Sequence, residues 1–210
     1  PFSTDANATD VGDITGDSYA SGQSSNENGY SSGGGVPATN ITDKFPFAAD
    51  ANATDVGDLT QARSSVAGQS SGENGYTSGG NSLNTIDKFP FSTDANATDV
   101  GDLTVARYSA AAQSSTENGY YAGGFASPYV NTIDKFPFSA DANATDVGDL
   151  SQIRGFVTGQ SSVTNGYSSG GFAPPSVNII EKFPFSTDAN ATDVGDLTTA
   201  RSSQGQGTQS

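Results

Sequence analysis

The chain has 210 residues, with 8 Lys and Arg against 23 Asp and Glu, which gives a formal net charge of -15. It contains no His, Cys, Met or Trp. These absences exclude Ser-His-Asp and Cys-His triads, thiolate chemistry, disulfides and zinc sites built on His or Cys. The acidic balance argues against nucleic acid and anionic membranes as partners. No apolar run is long enough to span a bilayer, so membrane insertion is not expected.

Three sequence blocks repeat along the chain. DANATDVGD begins at Asp5, Asp50, Asp94, Asp141 and Asp188, with spacings of 45, 44, 47 and 47 residues. KFPF begins at Lys44, Lys88, Lys135 and Lys182, and NGYxxGG begins at Asn28, Asn74, Asn118 and Asn165. A period of this length is typical of a four-stranded propeller blade or of a helical repeat. The Gly, Ser, Thr and Asn content and the lack of a 3.6-residue apolar period favour an all-β repeat.

Four short strands are predicted in each period. In the second period they cover residues 54–60, 62–71, 75–78 and 84–89. A hairpin turn at Glu73-Asn74-Gly75 separates two of them, because Asn-Gly suits the positive φ that such turns require. Nine of the twelve Phe lie in the four FPF blocks and in their partial copy Pro1-Phe2, and they are predicted to fill the space between neighbouring blades. Lys88, Arg63 and their equivalents are predicted to form ion pairs across blades.

Two motifs resemble the kelch repeat of β-propellers. GYTSGG at residues 75–80 resembles the aromatic-x-x-Gly-Gly strand end of that family, and LTQAR at residues 59–63 resembles the stretch that leads into the next blade. The Trp of the family is missing, and the first copy has Ser18 where other copies have Arg63 and its equivalents. The array also resembles repeats in predicted surface proteins of aquatic phages and bacteria.

The resemblance implies a kelch-like propeller, and the order of the strands favours a five-bladed ring. Each blade would have four strands, with the N- and C-terminal strands sharing one blade. Residues 1–203 are then a single repeat domain, and residues 204–210 are predicted to be a flexible tail. The alternative is that these repeats are a window of a longer array.

The Asp-rich block is a candidate calcium site. Each copy presents oxygen atoms from Asp, Asn, Thr and Asp at relative positions 1, 3, 5 and 9, a spacing similar to that of calcium-binding loops. However, the sixth position is Asp instead of Gly and no Glu follows at position 12, so a structural turn capped by Asp and Asn is the alternative. The candidate ligands are Asp5, Asn7, Thr9, Asp13, Asp50, Asn52, Thr54, Asp58, Asp94, Asn96, Thr98, Asp102, Asp141, Asn143, Thr145, Asp149, Asp188, Asn190, Thr192 and Asp196.

Six Asn-x-Ser/Thr sequons are candidate glycosylation sites. Five of them lie inside the repeated block. The alternative is therefore that the tripeptide was copied together with a duplicated turn and carries no glycan. The acceptors would be Asn7, Asn52, Asn96, Asn143, Asn190 and Asn40.

The loops in which the copies differ are the candidate ligand-binding elements, because binding residues concentrate on loops held by a rigid scaffold. These loops cover residues 35–39, 81–83, 125–130 and 172–177. The last two carry Phe125, Tyr129 and Phe172, which are candidate contacts for carbohydrate.

The sequence favours a non-enzymatic protein, because the carboxylates are the same in every copy and the singular acids Asp17 and Glu181 have no evident partner. We expect an extracellular or virion-surface structural or adhesin module, of phage fibre or capsid-decoration type, that binds surface glycans. Its partners would be copies of itself or other virion or surface proteins, and the virion assignment depends on the resemblance alone. The alternatives are a subunit of an extracellular filament and a calcium-dependent lectin or glycoside-active propeller.

Overall fold

The computed structural model describes residues 7–15 and 18–202, together with the backbone of residues 206–209. These residues form strands and no helix. The first sheet contains β1 (Ser21–Ser24), β2 (Asn28–Ser32), β3 (Ile41–Pro46) and β4 (Thr54–Asp58). The second contains β5 (Ala67–Ser70), β6 (Asn74–Ser78), β7 (Thr85–Pro90) and β8 (Thr98–Asp102). The third contains β9 (Ala111–Ser114), β10 (Asn118–Ala122), β11 (Thr132–Pro137) and β12 (Thr145–Asp149). The fourth contains β13 (Thr158–Ser161), β14 (Asn165–Ser169), β15 (Ile179–Pro184), β16 (Thr192–Asp196) and β17 (Gln206–Gln209).

The first four strands of each sheet form an antiparallel meander in which they lie side by side in chain order. The pairing of the third and fourth strands shifts register at one place in every sheet, for example between Ile86 and Asp87. The first strands of successive sheets are neighbours, so β1, β5, β9 and β13 follow one another in a row. An all-β repeat of four-stranded sheets is therefore confirmed.

A closed five-bladed ring is not found among the described residues. β17 pairs in parallel with β13 as a fifth strand of the fourth sheet. Residues 7–15 instead contact the first sheet, where the Ala53 N–H donates to the Asp13 carbonyl at 2.8 Å. Without β17 the edge of β13 would carry unpaired backbone groups, and the C-terminal strand pairs with them. β17 lies inside the segment that the sequence predicts as a flexible tail.

The predicted strands of the second period agree with β4, β6 and β7 to within two residues, but the predicted strand at residues 62–71 is too long. Its ordered part is only β5, at Ala67–Ser70. Ser65 interrupts the extended backbone because its φ is 58°, a left-handed value that no strand contains. Its N–H donates to the Tyr19 carbonyl of the preceding connection at 2.9 Å. The prediction missed this turn because Ser, unlike Gly or Asn, does not indicate positive φ.

The ring of Phe89 explains why residue 75 is a glycine. Gly75 lies directly across from Phe89 in the β6–β7 pair, and a Cβ at Gly75 would come within 2.3 Å of the Phe89 ring. The ring therefore covers the glycine backbone, an arrangement that pins strand register. Equivalent Gly–Phe pairs occur in the other three sheets.

Aromatic side chains fill the space between neighbouring sheets, as the FPF blocks predict. Tyr76 of the second sheet stacks on Phe138 of the third, with ring centroids 4.8 Å apart, and contacts Phe136 at 5.5 Å. Tyr30 packs on Phe89 and Phe91 in the same way. The last such contact joins the third and fourth sheets and comprises Tyr120, Phe183 and Phe185. The second, third and fourth FPF blocks thus each pack against the tyrosine of the preceding repeat.

Polar contacts join the same sheets near their first strands. The buried Gln69 side chain donates from Nε2 to the Tyr120 carbonyl of the next sheet at 3.0 Å. The Ser70 N–H donates to Ser114 Oγ at 3.1 Å. Because equivalent bonds occur at Gln23 and Gln113, each repeat is bonded to the next by the same side chains.

Candidate ligand-binding surfaces

The connections into the second, third and fourth sheets are each held by a buried ion pair. Arg63 Nη2 lies 2.9 Å from Asp87 Oδ2 of β7, and neither side chain is exposed. Thr60 donates to the same carboxylate from its N–H and from Oγ1. Burial lowers the pKa of Arg63, and the charge of Asp87 opposes that effect. The remaining pairs of this kind are Arg107–Asp134 and Arg154–Glu181.

Two sequence-based statements about these positions are wrong. Glu181 has a partner, because it takes the place of Asp87 and Asp134 and pairs with Arg154. Ser18 does not correspond to Arg63, because Ser18 directly precedes Tyr19 as Ser64 precedes Ser65, and the carbonyls of Ser18 and Ser64 accept equivalent loop N–H groups. The position equivalent to Arg63 is therefore Asp17, which lies outside the described residues.

The Asp-rich block joins one repeat to the one before it. The Asp58 N–H donates to Asn96 Oδ1 at 3.1 Å, and the Ala97 N–H donates to the Asp58 carbonyl at 2.7 Å. Lys44 forms an ion pair with Asp94 across the same boundary. The pairs Lys88–Asp141 and Lys135–Asp188 repeat this contact, so the predicted ion pairs across sheets are confirmed for these three lysines.

The candidate calcium ligands therefore have protein partners at two of their four positions in the inner repeats, and the Thr of the third position donates to a Lys carbonyl in two copies. The first Asp pairs with Lys in three copies, and the Asn oxygen accepts an N–H in four copies. The Thr at the third position is exposed. Asp5 lies outside the described residues. In the described part of the chain no three acidic side chains converge into a metal-holding group, and a calcium site built from Asp, Asn, Thr and Asp stays a prediction.

The sequon asparagines of the repeated block are all exposed, including Asn7, whereas Asn40 is half-buried. In four of them, Asn52, Asn96, Asn143 and Asn190, the side-chain oxygen accepts the inter-repeat hydrogen bond. Their Nδ2 atoms are the atoms to which a glycan would be attached. Glycosylation therefore stays a prediction, with acceptors at the boundary between repeats.

Two open clefts lie between neighbouring hairpins at one end of the sheets. Their volumes are about 550 Å³ and 560 Å³. Glu73 and Asn74 line both clefts, with Glu117 on the other wall of one and Glu27 on the other wall of the second. The fourth hairpin has Val163 and Thr164 in place of such an acid. The acidic lining disfavours anionic ligands at this end of the molecule.

The loop candidates form a continuous cluster at the opposite end of the sheets. The aromatic row comprises Tyr108, Phe125, Tyr129 and Phe172, all half-buried. Successive ring centroids are 5.4, 5.0 and 6.0 Å apart. The rings are inclined to one another by 56°, 75° and 70°, so that they form a faceted surface and not a flat one. The structure thus brings together all three aromatic residues that the loops suggested.

Tyr108 is the member of the aromatic row that sequence reasoning missed. It lies in the connection before β9, at the position of Ser64 and Gly155 in neighbouring repeats. Its backbone pairs with Phe125. In the next repeat, a Cβ on Gly155 would come within 2.9 Å of the Tyr129 ring, so this glycine makes room for the row. The signal for Tyr108 in the sequence is that the residue at this position differs between copies, as Ser64, Tyr108 and Gly155.

No family model and no curated protein matches this chain. In the described residues there is no helix of the length and apolar character needed to cross a membrane.

Proposed function

We propose that the chain is a non-enzymatic structural module that binds neutral surface glycans through the aromatic row. The observation that carries this proposal is the contact between Tyr108, Phe125, Tyr129 and Phe172, which belong to two loops and one connection. Half-buried aromatic rings offer a rigid apolar face beside polar groups, the combination that sugar rings require. Contiguous apolar patches on a protein surface usually mark a site of interaction.

The form of the row favours a short oligosaccharide over a flat polysaccharide surface. Because neighbouring rings meet edge to face, a ligand would have to bend from one ring to the next. Seven of the twelve residues in the loops 125–130 and 172–177 are Ala, Ser or Pro, whose small side chains cover little of the neighbouring rings. The net charge of -15 favours a neutral or cationic ligand over a sulfated or sialylated one.

The proposed setting is an extracellular or virion surface, as an adhesin, phage fibre or capsid-decoration module. It is supported by the sequence resemblance to repeat arrays of aquatic phage and bacterial proteins. We also propose that the four sheets are blades of a kelch-like propeller whose fifth blade is drawn from the terminal segments. The supports are the recurring double glycine, the recurring Arg of the connection and the row of first strands.

The test is binding to a panel of neutral and anionic oligosaccharides, measured by isothermal titration calorimetry. We expect Tyr129→Ala and Phe125→Ala to weaken binding of a neutral oligosaccharide by about tenfold or more, since aromatic anchors carry much of such interfaces. Phe47→Ala is the matched control, because Phe47 is 55% exposed and lies outside the row. Absence of binding across the panel, or equal affinity of all three variants, would contradict the proposal.

A filament subunit is the second candidate function. The outer strand of the fourth sheet, β16, is exposed at all five positions, whereas β4, β8 and β12 are each half-buried at three. A sheet face that is covered in three repeats and open in the fourth is suited to association with another protein.

A further inference from the structure

The outer face of the fourth sheet carries one half of the contact that joins the other sheets. This face comprises Tyr167, Lys182, Gly195 and Asp196, which are the equivalents of Tyr120, Lys135, Gly148 and Asp149. Tyr120 is 2% exposed beneath Phe183 and Phe185, whereas Tyr167 is only half-buried. Lys182 has no ion pair among the described residues, although its three equivalents each pair with an Asp.

In the described part of the chain, Gly195 also lacks the backbone neighbour that its equivalents in the other sheets have. A Cβ at Gly148 would come within 2.5 Å of the Ala189 carbonyl oxygen of the next repeat, and Gly57 and Gly101 meet equivalent carbonyls. Nothing lies within 4 Å of the corresponding atom at Gly195. The φ values of Gly148 and Gly195 are 154° and 155°. Since the backbone has the same form, what differs is the partner.

The N-terminal sequence carries the other half of this contact. Phe2, Asp5, Ala6, Asn7 and Ala8 stand at the positions of Phe185, Asp188, Ala189, Asn190 and Ala191. In the inner repeats these residues stack on Tyr120, pair with Lys135 and bond to the backbone of Asp149. Phe2, Asp5 and Ala6 lie outside the described residues, and Asn7 and Ala8 are exposed.

The adjoining N-terminal residues are held at the far end of the row of sheets. The Asp13 N–H donates to Asn52 Oδ1 at 3.0 Å, and Thr15 donates to Asp43 from its N–H at 2.8 Å. Both contacts belong to the first sheet, and among the described residues the four sheets do not close into a ring. The segment that fits the fourth sheet is therefore available to it from a second molecule.

We propose that the outer face of the fourth sheet binds the N-terminal segment, residues 1–8, of a second copy of this chain. Phe2 of that copy stacks on Tyr167, Asp5 pairs with Lys182, and Asn7 accepts the N–H of Asp196. This inference rests on the proposed propeller-like arrangement and places its fifth blade between two molecules. Because the two surfaces differ, the contact is head to tail and generates a chain of copies.

Sedimentation velocity over a range of protein concentrations tests this inference. We expect the wild-type chain to form dimers and longer oligomers as concentration rises. Lys182→Asp and Asp5→Lys are each expected to remain monomeric, because either change places like charges at the contact. An equal mixture of the two variants is expected to associate again, since each then offers the charge that the other requires. Glu27→Lys, an equal charge change on an exposed hairpin residue, is expected to behave as wild type.

Gly195→Ala is a second variant that changes no charge. Its methyl group has free space in the isolated molecule, where the φ of 155° strains any residue other than glycine. The methyl group would also meet the incoming Ala6 carbonyl, so association is expected to be lost. Urea unfolding of each variant verifies that the fold is retained. A wild-type chain that is monomeric at every concentration would overturn the inference, as would oligomers that Lys182→Asp and Gly195→Ala leave intact. Neither result bears on glycan binding by the aromatic row, which lies on other elements.

Discussion

The residues that join neighbouring sheets recur in three or more repeats, whereas those of the aromatic row occur in only two repeats. Tyr76, Phe136 and Arg107 belong to the first group, and each has a counterpart in the preceding repeat and another in the following repeat. Phe125 and Tyr129 belong to the second group, since the preceding loop has only Asn81, Ser82 and Leu83 in their place. The two groups lie within the same repeats.

The difference between the groups is one of burial. The joining residues are fully enclosed between sheets, so any change there is felt by two repeats at once. The row residues are half-buried at the end of the sheets, and a loop can change without altering how sheets pack. A repeat protein can therefore keep its framework nearly identical while one or two loops acquire binding residues.

The largest expected effect is at the buried ion pairs. Arg107→Ala leaves Asp134 buried without its countercharge, and loss of one partner of such a pair costs about 3–5 kcal/mol in the free energy of unfolding. Urea denaturation measures this loss. The adjacent Tyr108→Ala, which removes a half-buried residue of the row, is expected to cost about 1 kcal/mol. Equal losses for the two variants would contradict the distinction between the residues that join the sheets and those of the aromatic row.

The second effect compares two phenylalanines. Phe136 is 1% exposed and packs against Tyr76 of the preceding sheet, so Phe136→Ala is expected to cost about 3–5 kcal/mol. Phe125→Ala is expected to cost less than half of that, because Phe125 is already half-exposed to solvent. Thermal and urea unfolding of the two variants give the ratio. A greater loss at Phe125 would mean that the row is part of the core.

The third effect is a loss of stability at high pH. Burial raises the pKa of Tyr76 and of Tyr120, and nearby carboxylates raise it further. The folded chain then holds these phenol protons more tightly than the unfolded chain. Their contribution is complete below the ordinary tyrosine pKa of about 10, and stability falls as the pH rises above that value.

Urea unfolding between pH 8 and pH 11 measures this fall. Tyr76→Phe removes one titrating group, so its stability is expected to decline less steeply than that of wild type. A variant that declines as steeply would show that other groups cause the loss.

The smallest effect is at the lysines of the sheet boundaries. Lys88 is partly exposed and its partner Asp141 is more so, and pairs of this kind contribute about 0–1 kcal/mol. Lys88→Ala is expected to lower stability by no more than that, and the difference from wild type is expected to vanish at high salt. Lys182→Ala is the matched control at low protein concentration, since Lys182 has no ion pair among the described residues. A loss at Lys88 as large as that at Arg107 would contradict this ranking.

The residue pattern by itself determined the repeat length, the all-β class and three of the four strands in the second period. It did so because the Asn-Gly turns, the double glycines and the alternating FPF blocks act locally, within one or two residues of the turn or strand that they specify. The inter-sheet role of Phe and Lys also followed from composition. A side chain as large as Phe needs a neighbouring surface to cover it, and a lysine among many Asp finds an acidic partner.

Only the tertiary structure decided where the ends of the chain lie and which residues share a surface. The parallel pairing of β17 with β13, the left-handed turn at Ser65 and the pairing of Arg154 with Glu181 depend on contacts between residues far apart in sequence. The same holds for Tyr108, which joins Phe125 because a connection passes beside a loop. A local pattern specifies the repeat, but how repeats meet at their boundaries and ends depends on packing between surfaces that no single repeat contains.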